Sequence, residues 1–298
     1  MEKRFGRLLT AMVTPFDEKG EVNYLQARKL ARALINSGSD GLVVSGTTGE
    51  SPTLFHDEKL KLFSEIKTEI GDKAAIIAGT GSNNTAETIK LTQEAEKIGI
   101  DGCLLVVPYY NKPTQDGLYQ HFKAIASATK LPCIMYNIPS RAGVNMTADT
   151  IVKLSQIETI VGIKESSGII EHTTKVIEET RKDFLVYTGN DSDILPVLSL
   201  GGYGVISVAA HLAGNQIKRM IENFISGEVD AAATMFRQFI PLVNALFCVT
   251  NPIPVKYAVN YVGLNVGKPR LPLTEPDANA RAIIESVIKK YTIDLPVK

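Results

Sequence analysis

The chain has 298 residues, 44% of them hydrophobic, with 32 basic and 32 acidic side chains and hence no formal net charge. That length suits one large α/β domain or a domain with an appendage. The charge balance provides no basic field to neutralise phosphates, which argues against a nucleic-acid partner, and it opposes assembly with little self-repulsion. The three cysteines, Cys103, Cys133 and Cys248, form no CxxC pair, and two of them sit in apolar runs. Neither a disulfide framework nor a zinc site is expected, and the compartment reads as reducing.

The predicted elements alternate along the chain. "MEKRFGRLLTAMVTPF" has an apolar stretch that stops at Pro15, too short for a signal peptide, and reads as a first strand over Leu8–Phe16. Strand-like runs follow at Gly41–Thr48, Ala74–Gly81, Gly102–Tyr110, Pro132–Pro139, Ile160–Ser167, Phe184–Asp191 and Gly204–Ala210. Between them lie segments with helical periodicity, such as "NYLQARKLARALINSG", with Leu25, Leu30, Leu34 and Ile35 placed on one face and Gly38 as its stop. No apolar run reaches the ~18–20 residues of a membrane span, so a cytoplasmic protein is expected.

Repeated βα units imply a parallel sheet buried on both faces, and eight of them suggest a closed (β/α)8 TIM barrel over residues 1–223. The competitor is an open doubly wound sheet. It is disfavoured because no GxGxxG follows the first strand, and "GTGSNN" after the third reads more simply as a turn. After Asn223 the strand signal ends, and residues 224–298 read as a C-terminal helical region packed on the barrel.

In such a barrel the chemistry belongs at the C-terminal ends of the strands. The polar residues there are "SGTTGES", "PYYNKP", "YNIPSRAG", "KESSG" and "TGND". Lys164 ends a strand that opens as Ile-Val-Gly-Ile. Its ammonium either reaches water along the stem or is kept as an amine that attacks a carbonyl. Glu165 points to the opposite face and is a poor permanent counter-ion. Tyr136 is either a core residue or a phenol that moves protons for imine chemistry, with Thr47 and Tyr110 carrying hydroxyls to the same rim. Thr47 otherwise reads as a turn or cap residue and Tyr110 as surface packing. Arg141 is either a solvated loop arginine or a clamp for a substrate carboxylate. "GTTGES" lacks the lysine of a phosphate loop, but its N–H groups suit a small anion. His56 reads as a surface neighbour of a helix start, and no HxxxH or DxD-type cluster points to a metal.

With "GTTGES", "PYYNKP", "YNIPSR" and "KESSG" in order, and "NPIPVK" and "RLPL" near the C-terminus, the chain resembles the dihydrodipicolinate (4-hydroxy-tetrahydrodipicolinate) synthase family. That family lies within the N-acetylneuraminate lyase superfamily of pyruvate-dependent class I aldolases. The resemblance implies a lyase of lysine biosynthesis by the diaminopimelate route, condensing pyruvate with L-aspartate 4-semialdehyde through a Schiff base and needing no cofactor or metal. It implies that Lys164 forms the imine and that Tyr136, Thr47 and Tyr110 relay protons, Tyr110 from a neighbouring subunit. Thr48 would hold the pyruvate carboxylate, Arg141 the semialdehyde carboxylate, and Gly189 and Ile206 would line the pocket. It also implies a homotetramer built as a dimer of dimers. The alternative is a sibling aldolase acting on sialic acid or a 2-keto-3-deoxy sugar acid, against which Arg141 and "PYYNKP" weigh. Lysine-inhibited relatives carry a regulatory site at the positions of Ser51, His56, Asn83, Glu87 and Tyr109. Lys59 stands there where inhibited members often have histidine, and Pro52 where many have alanine, so weak or absent inhibition is expected.

Overall fold

The structure is a computed structural model and describes residues 5–295. The first residues of the "MEKRFG" stretch lie outside that range. Eight strands alternate with helices: β1 Leu8–Ala11, α1 Tyr24–Asn36, β2 Gly41–Val44, α2 His56–Ile70, β3 Ala75–Gly79, α3 Thr85–Ile98, β4 Gly102–Val106, α4 Gln115–Ser127 and β5 Cys133–Asn137. The series continues with α5 Pro139–Ala142, α6 Ala148–Ser155, β6 Ile160–Glu165, α7 Ile170–Glu179, β7 Leu185–Thr188, α8 Ile194–Ser199, β8 Gly204–Ser207 and α9 Ala210–Ile225. Three helices follow, α10 Val229–Leu246, α11 Ile253–Tyr261 and α12 Ala278–Ile288. The strands close into a barrel in chain order, and the registered neighbours are parallel. This is the TIM-barrel arrangement with a C-terminal helical part.

Strand burial explains the apolar runs. Every residue of β1, β2, β5 and β8 is buried, as a parallel sheet covered on both faces requires. The helices present one stripe inward. On α1, Leu30 and Leu34 are fully buried, but Leu25 is 56% exposed and Ile35 only partly covered. Leu25 therefore leaves the face expected for it: five residues before Leu30 places it about 140° around the helix. Among the described residues no helix is long and apolar enough to cross a membrane.

Contacts divide the chain into two compact units, one running to Ala75 and resuming at Ser207, the other spanning Ile76–Ile206. In the first unit, His211 is fully buried. Its Nε2 accepts the Val13 N–H at 3.1 Å, and its Nδ1 lies 2.8 Å from the Val208 carbonyl. The ring is therefore neutral with the proton on Nδ1, and burial holds its pKa down to about 4 from 6.5. As pH falls through this window the unfolded chain takes up the proton first. The stability this group confers is complete above 6.5 and lost towards 4, on the order of 3 kcal/mol. His121 in the second unit, lowered to about 4 by burial, acts in the same direction. Urea titrations are expected to show stability falling over this range and a shallower slope for His211→Gln. A variant with the unchanged slope would contradict the assignment.

Candidate active site

In the Ile76–Ile206 unit the site grows from two adjacent strands. Lys164 on β6 is in register with Tyr136 on β5 and with Tyr187 on β7. Both Lys164 and Tyr136 are buried. The Lys164 Nζ lies 4.3 Å from the centroid of the Tyr136 ring, so the amine sits against a π face with the phenol as its registered neighbour.

The next register pair, Asn137 and Glu165, faces the other way, because side chains alternate along a strand. Glu165 accepts the Ser167 N–H at 2.7 Å, and its Oε2 lies 3.3 Å from His172 Nε2. Asn137 Nδ2 donates to Glu165 Oε2 at 3.1 Å and to Asn145 Oδ1 at 2.8 Å, while Asn137 Oδ1 accepts the Met146 N–H at 3.1 Å. This carboxylate is thus engaged away from Lys164, and the Asn137–Glu165 bond ties together the strand ends that carry Tyr136 and Lys164.

Gly189, just past β7, continues the sheet by donating its N–H to the Glu165 carbonyl at 2.8 Å. A Cβ there would fall 2.6 Å from Lys164 Cε and 2.0 Å from Ser166 Oγ. Only glycine leaves room for the lysine stem. Ile206, on β8, is fully buried. Arg141 is exposed on the short helix α5. Tyr110 stands 89% exposed with φ +72°, a left-handed backbone that costs a bulky residue free energy. Asn83 and Asn111 hold that turn, through Asn83 Nδ2 on the Tyr109 carbonyl at 3.1 Å and Asn111 Nδ2 on the Asn83 carbonyl at 3.0 Å. Lys164, Tyr136 and Gly189 are brought together, and Tyr110 is presented outward.

In the other unit, "GTTGES" follows β2 as a loop with left-handed turns at Ser45 (φ +58°) and Glu50 (φ +56°). Thr48 is buried and its Oγ1 accepts from Asn251 Nδ2 at 3.0 Å. Thr47 precedes it, its carbonyl accepting the Glu50 N–H at 3.0 Å. Glu50 is anchored twice: Lys256 Nζ donates to Oε1 at 2.7 Å, and the Arg270 N–H to Oε2 at 2.9 Å. Lys256 also donates to the Thr14 and Lys268 carbonyls at 3.0 and 3.1 Å and lies 4.1 Å from the Phe16 ring centroid. Burial lowers its pKa to about 8, with Glu50 opposing the shift. Ser51 opens a 3-10 turn, and His56 and Lys59 lie in the first turn of α2. Asn83, Glu87 and Tyr109, the remaining positions of the expected regulatory set, belong to the Ile76–Ile206 unit.

The sequence reading did not single out Asn251, Lys256, Asn137 or Ser166. Lys256 carried a usable signal, a lysine set in the apolar run "PIPVKYAV". The other three lie within the quoted motifs "YNIPSR", "KESSG" and "NPIPVK", but a lone amide or hydroxyl at a strand end or in a loop has no periodicity that assigns it a partner.

The closed parallel barrel sets the class of fold. The chain belongs to the Dihydrodipicolinate synthetase family, whose model matches residues 4–291. Among its relatives, a 4-hydroxy-tetrahydrodipicolinate synthase of Dehalococcoides mccartyi is 58% identical over 296 residues, covering 99% of this chain and 100% of that one. The crystal structure of DHDPS from Cyanidioschyzon merolae with lysine bound matches with a TM-score of 0.95 at 46% identity, covering 97% of this chain and 98% of that one. A monomeric dihydrodipicolinate synthase variant matches with a TM-score of 0.94 at 40% identity, covering 96% and 97% respectively.

Proposed function

We propose that the chain carries out the 4-hydroxy-tetrahydrodipicolinate synthase reaction, joining pyruvate to L-aspartate 4-semialdehyde, with Lys164 as the Schiff-base residue. What carries the reading is the register pairing of buried Lys164 with Tyr136 in a chain matched end to end by synthases.

The steps follow from these groups. The Lys164 amine attacks the pyruvate ketone, and loss of water gives an imine. Protonated, the imine is an electron sink, so the methyl group gives up a proton and an enamine forms. The enamine carbon attacks the aldehyde, and the substrate's own amine then closes on the imine carbon and releases Lys164. The imine itself supplies the electron sink, so the chemistry calls for no metal or organic cofactor. Tyr136, Thr47 and Tyr110 move the protons. Thr48 binds the pyruvate carboxylate with hydroxyl and amide, Arg141 binds the semialdehyde carboxylate, and Gly189 and Ile206 line the pocket. The 89% exposure of Tyr110 supports its service to the site of a neighbouring subunit, and we place the enzyme in the cytoplasm as a tetramer of two tight dimers.

The test is turnover of pyruvate with aspartate semialdehyde beside pyruvate with N-acetylmannosamine. Cyclic product from the semialdehyde alone is expected. Turnover of the sugar alone would move the chain to a sibling aldolase.

Ser51, His56, Asn83, Glu87 and Tyr109 match the lysine-regulatory positions, but Lys59 sets an extra cation in the first turn of α2, which opposes a cationic ligand. Lysine is expected to inhibit weakly or not at all. A dose-response curve with strong inhibition below about 1 mM, an affinity of some 4 kcal/mol or more, would contradict this.

A further inference from the structure

The motif "KESSG" contains two serines, and they are used differently. Ser167 is engaged: its N–H donates to Glu165 at 2.7 Å and its Oγ accepts the Ile169 N–H at 3.2 Å. Ser166 is buried, with 7% exposure. Its backbone N–H donates to the Asn137 carbonyl at 2.9 Å, but its Oγ has no hydrogen-bond partner among the described residues. A hydroxyl taken from water without replacement is unfavourable, and native proteins rarely keep one without a use.

The position of that hydroxyl suggests the use. Ser166 follows Lys164 by two residues just past the end of β6, and its N–H bond to the Asn137 carbonyl carries the strand's alternation one residue on, to Lys164's face. Both side chains crowd the same point beside Gly189, where a Cβ would fall 2.0 Å from Ser166 Oγ and 2.6 Å from Lys164 Cε. Because Gly189 has no Cβ, the orphan hydroxyl and the amine-bearing stem fill that space side by side.

We propose that Ser166 is a further catalytic residue, whose Oγ hydrogen-bonds the ketone oxygen of the substrate as Lys164 adds to it. This rests on the Schiff-base reading of Lys164. As the Nζ lone pair bonds to the carbonyl carbon, the C=O π pair moves to oxygen, which takes up the proton the amine gives up. In dehydration the C–O bond breaks, the oxygen leaves as water with a proton from the phenol relay, and the nitrogen lone pair forms C=N. Ser166 holds the oxygen throughout and its own O–H bond stays intact. The reaction path thus supplies the partner the fold withholds.

The experiment is rapid-quench borohydride trapping of pyruvate on the full chain and on Ser166→Ala, with a thermal melt of each. A neutral hydrogen bond made only along the reaction path is worth about 10-fold in rate. The variant is expected to form the trapped adduct about 10-fold more slowly, with Tm unchanged or slightly raised because no hydrogen bond within the protein is lost. Trapping at the unaltered rate would overturn the role of Ser166 and leave Lys164 in place. A lowered Tm would assign Ser166 to packing and overturn it as well. An unmodified Lys164 in the parent chain would remove the Schiff-base reading and the Ser166 proposal with it.

Discussion

Lys164→Arg is expected to lower kcat by roughly 10³-fold or more, equivalent to about 4 kcal/mol of barrier, with a far smaller effect on thermal stability. Arginine keeps a positive charge near the Tyr136 ring, where Lys164 Nζ lies 4.3 Å from the centroid. A guanidinium cannot give up its proton in a protein, so it offers no lone pair to a ketone. Electrostatic attraction to pyruvate is thereby separated from covalent chemistry. The broad fork must also pass Gly189, which already packs closely on the lysine stem, so Lys164→Met serves as the second variant. Steady-state assay of both, with Tm recorded beside it, checks the result. A kcat within tenfold of the parent in either one would assign the chemistry elsewhere.

Lys256→Met is expected to have the largest effect on stability. It leaves Glu50, fully buried at the side chain, without its counter-ion, and breaking a buried pair from one side costs about 3–5 kcal/mol. For a chain of this size that lowers Tm by roughly 5–8 °C. Glu50 belongs to the same left-handed loop as Thr47 and Thr48, so KM for pyruvate is expected to rise in the same variant. Adding Glu50→Gln removes the stranded charge while keeping an acceptor for the Arg270 N–H, and the double variant is expected to recover about half of the lost stability or more. The Thr14 and Lys268 carbonyls stay unsatisfied, which limits the recovery. A double variant less stable than Lys256→Met alone would show that the pair is not what anchors the loop.

The architecture was legible because each strand is buried on both faces and each helix on one, so periodicity carried the alternation. The strand ends were less legible. The runs Gly41–Thr48 and Gly102–Tyr110 contain strands that stop at Val44 and Val106. The residues beyond them leave extended geometry, with φ +58° at Ser45 and +72° at Tyr110, yet stay apolar or small enough to look like strand. These overruns take in candidate site residues, Thr47 and Thr48 in the first and Tyr110 in the second. Lys164 and Tyr136 stood out because a polar group closing an apolar run is conspicuous. The supports of the site did not. Asn251 reaches Thr48 across 203 residues and Lys256 reaches Glu50 across 206, and no local pattern encodes such pairings. Glu165 could be assigned to the opposite face from alternation alone, but its partners His172 and Asn137 emerge only when α7 and β5 are in place.

Among the described residues, two buried lysines sit against aromatic rings, Lys164 on Tyr136 and Lys256 on Phe16. The second is occupied by a carboxylate and two carbonyls. Borohydride reduction in the presence of isotopically labelled pyruvate, followed by peptide mapping, distinguishes them directly. Label on Lys164 alone is the predicted result. Label on Lys256, or a protein that turns over substrate yet takes up no label, would contradict the Schiff-base account.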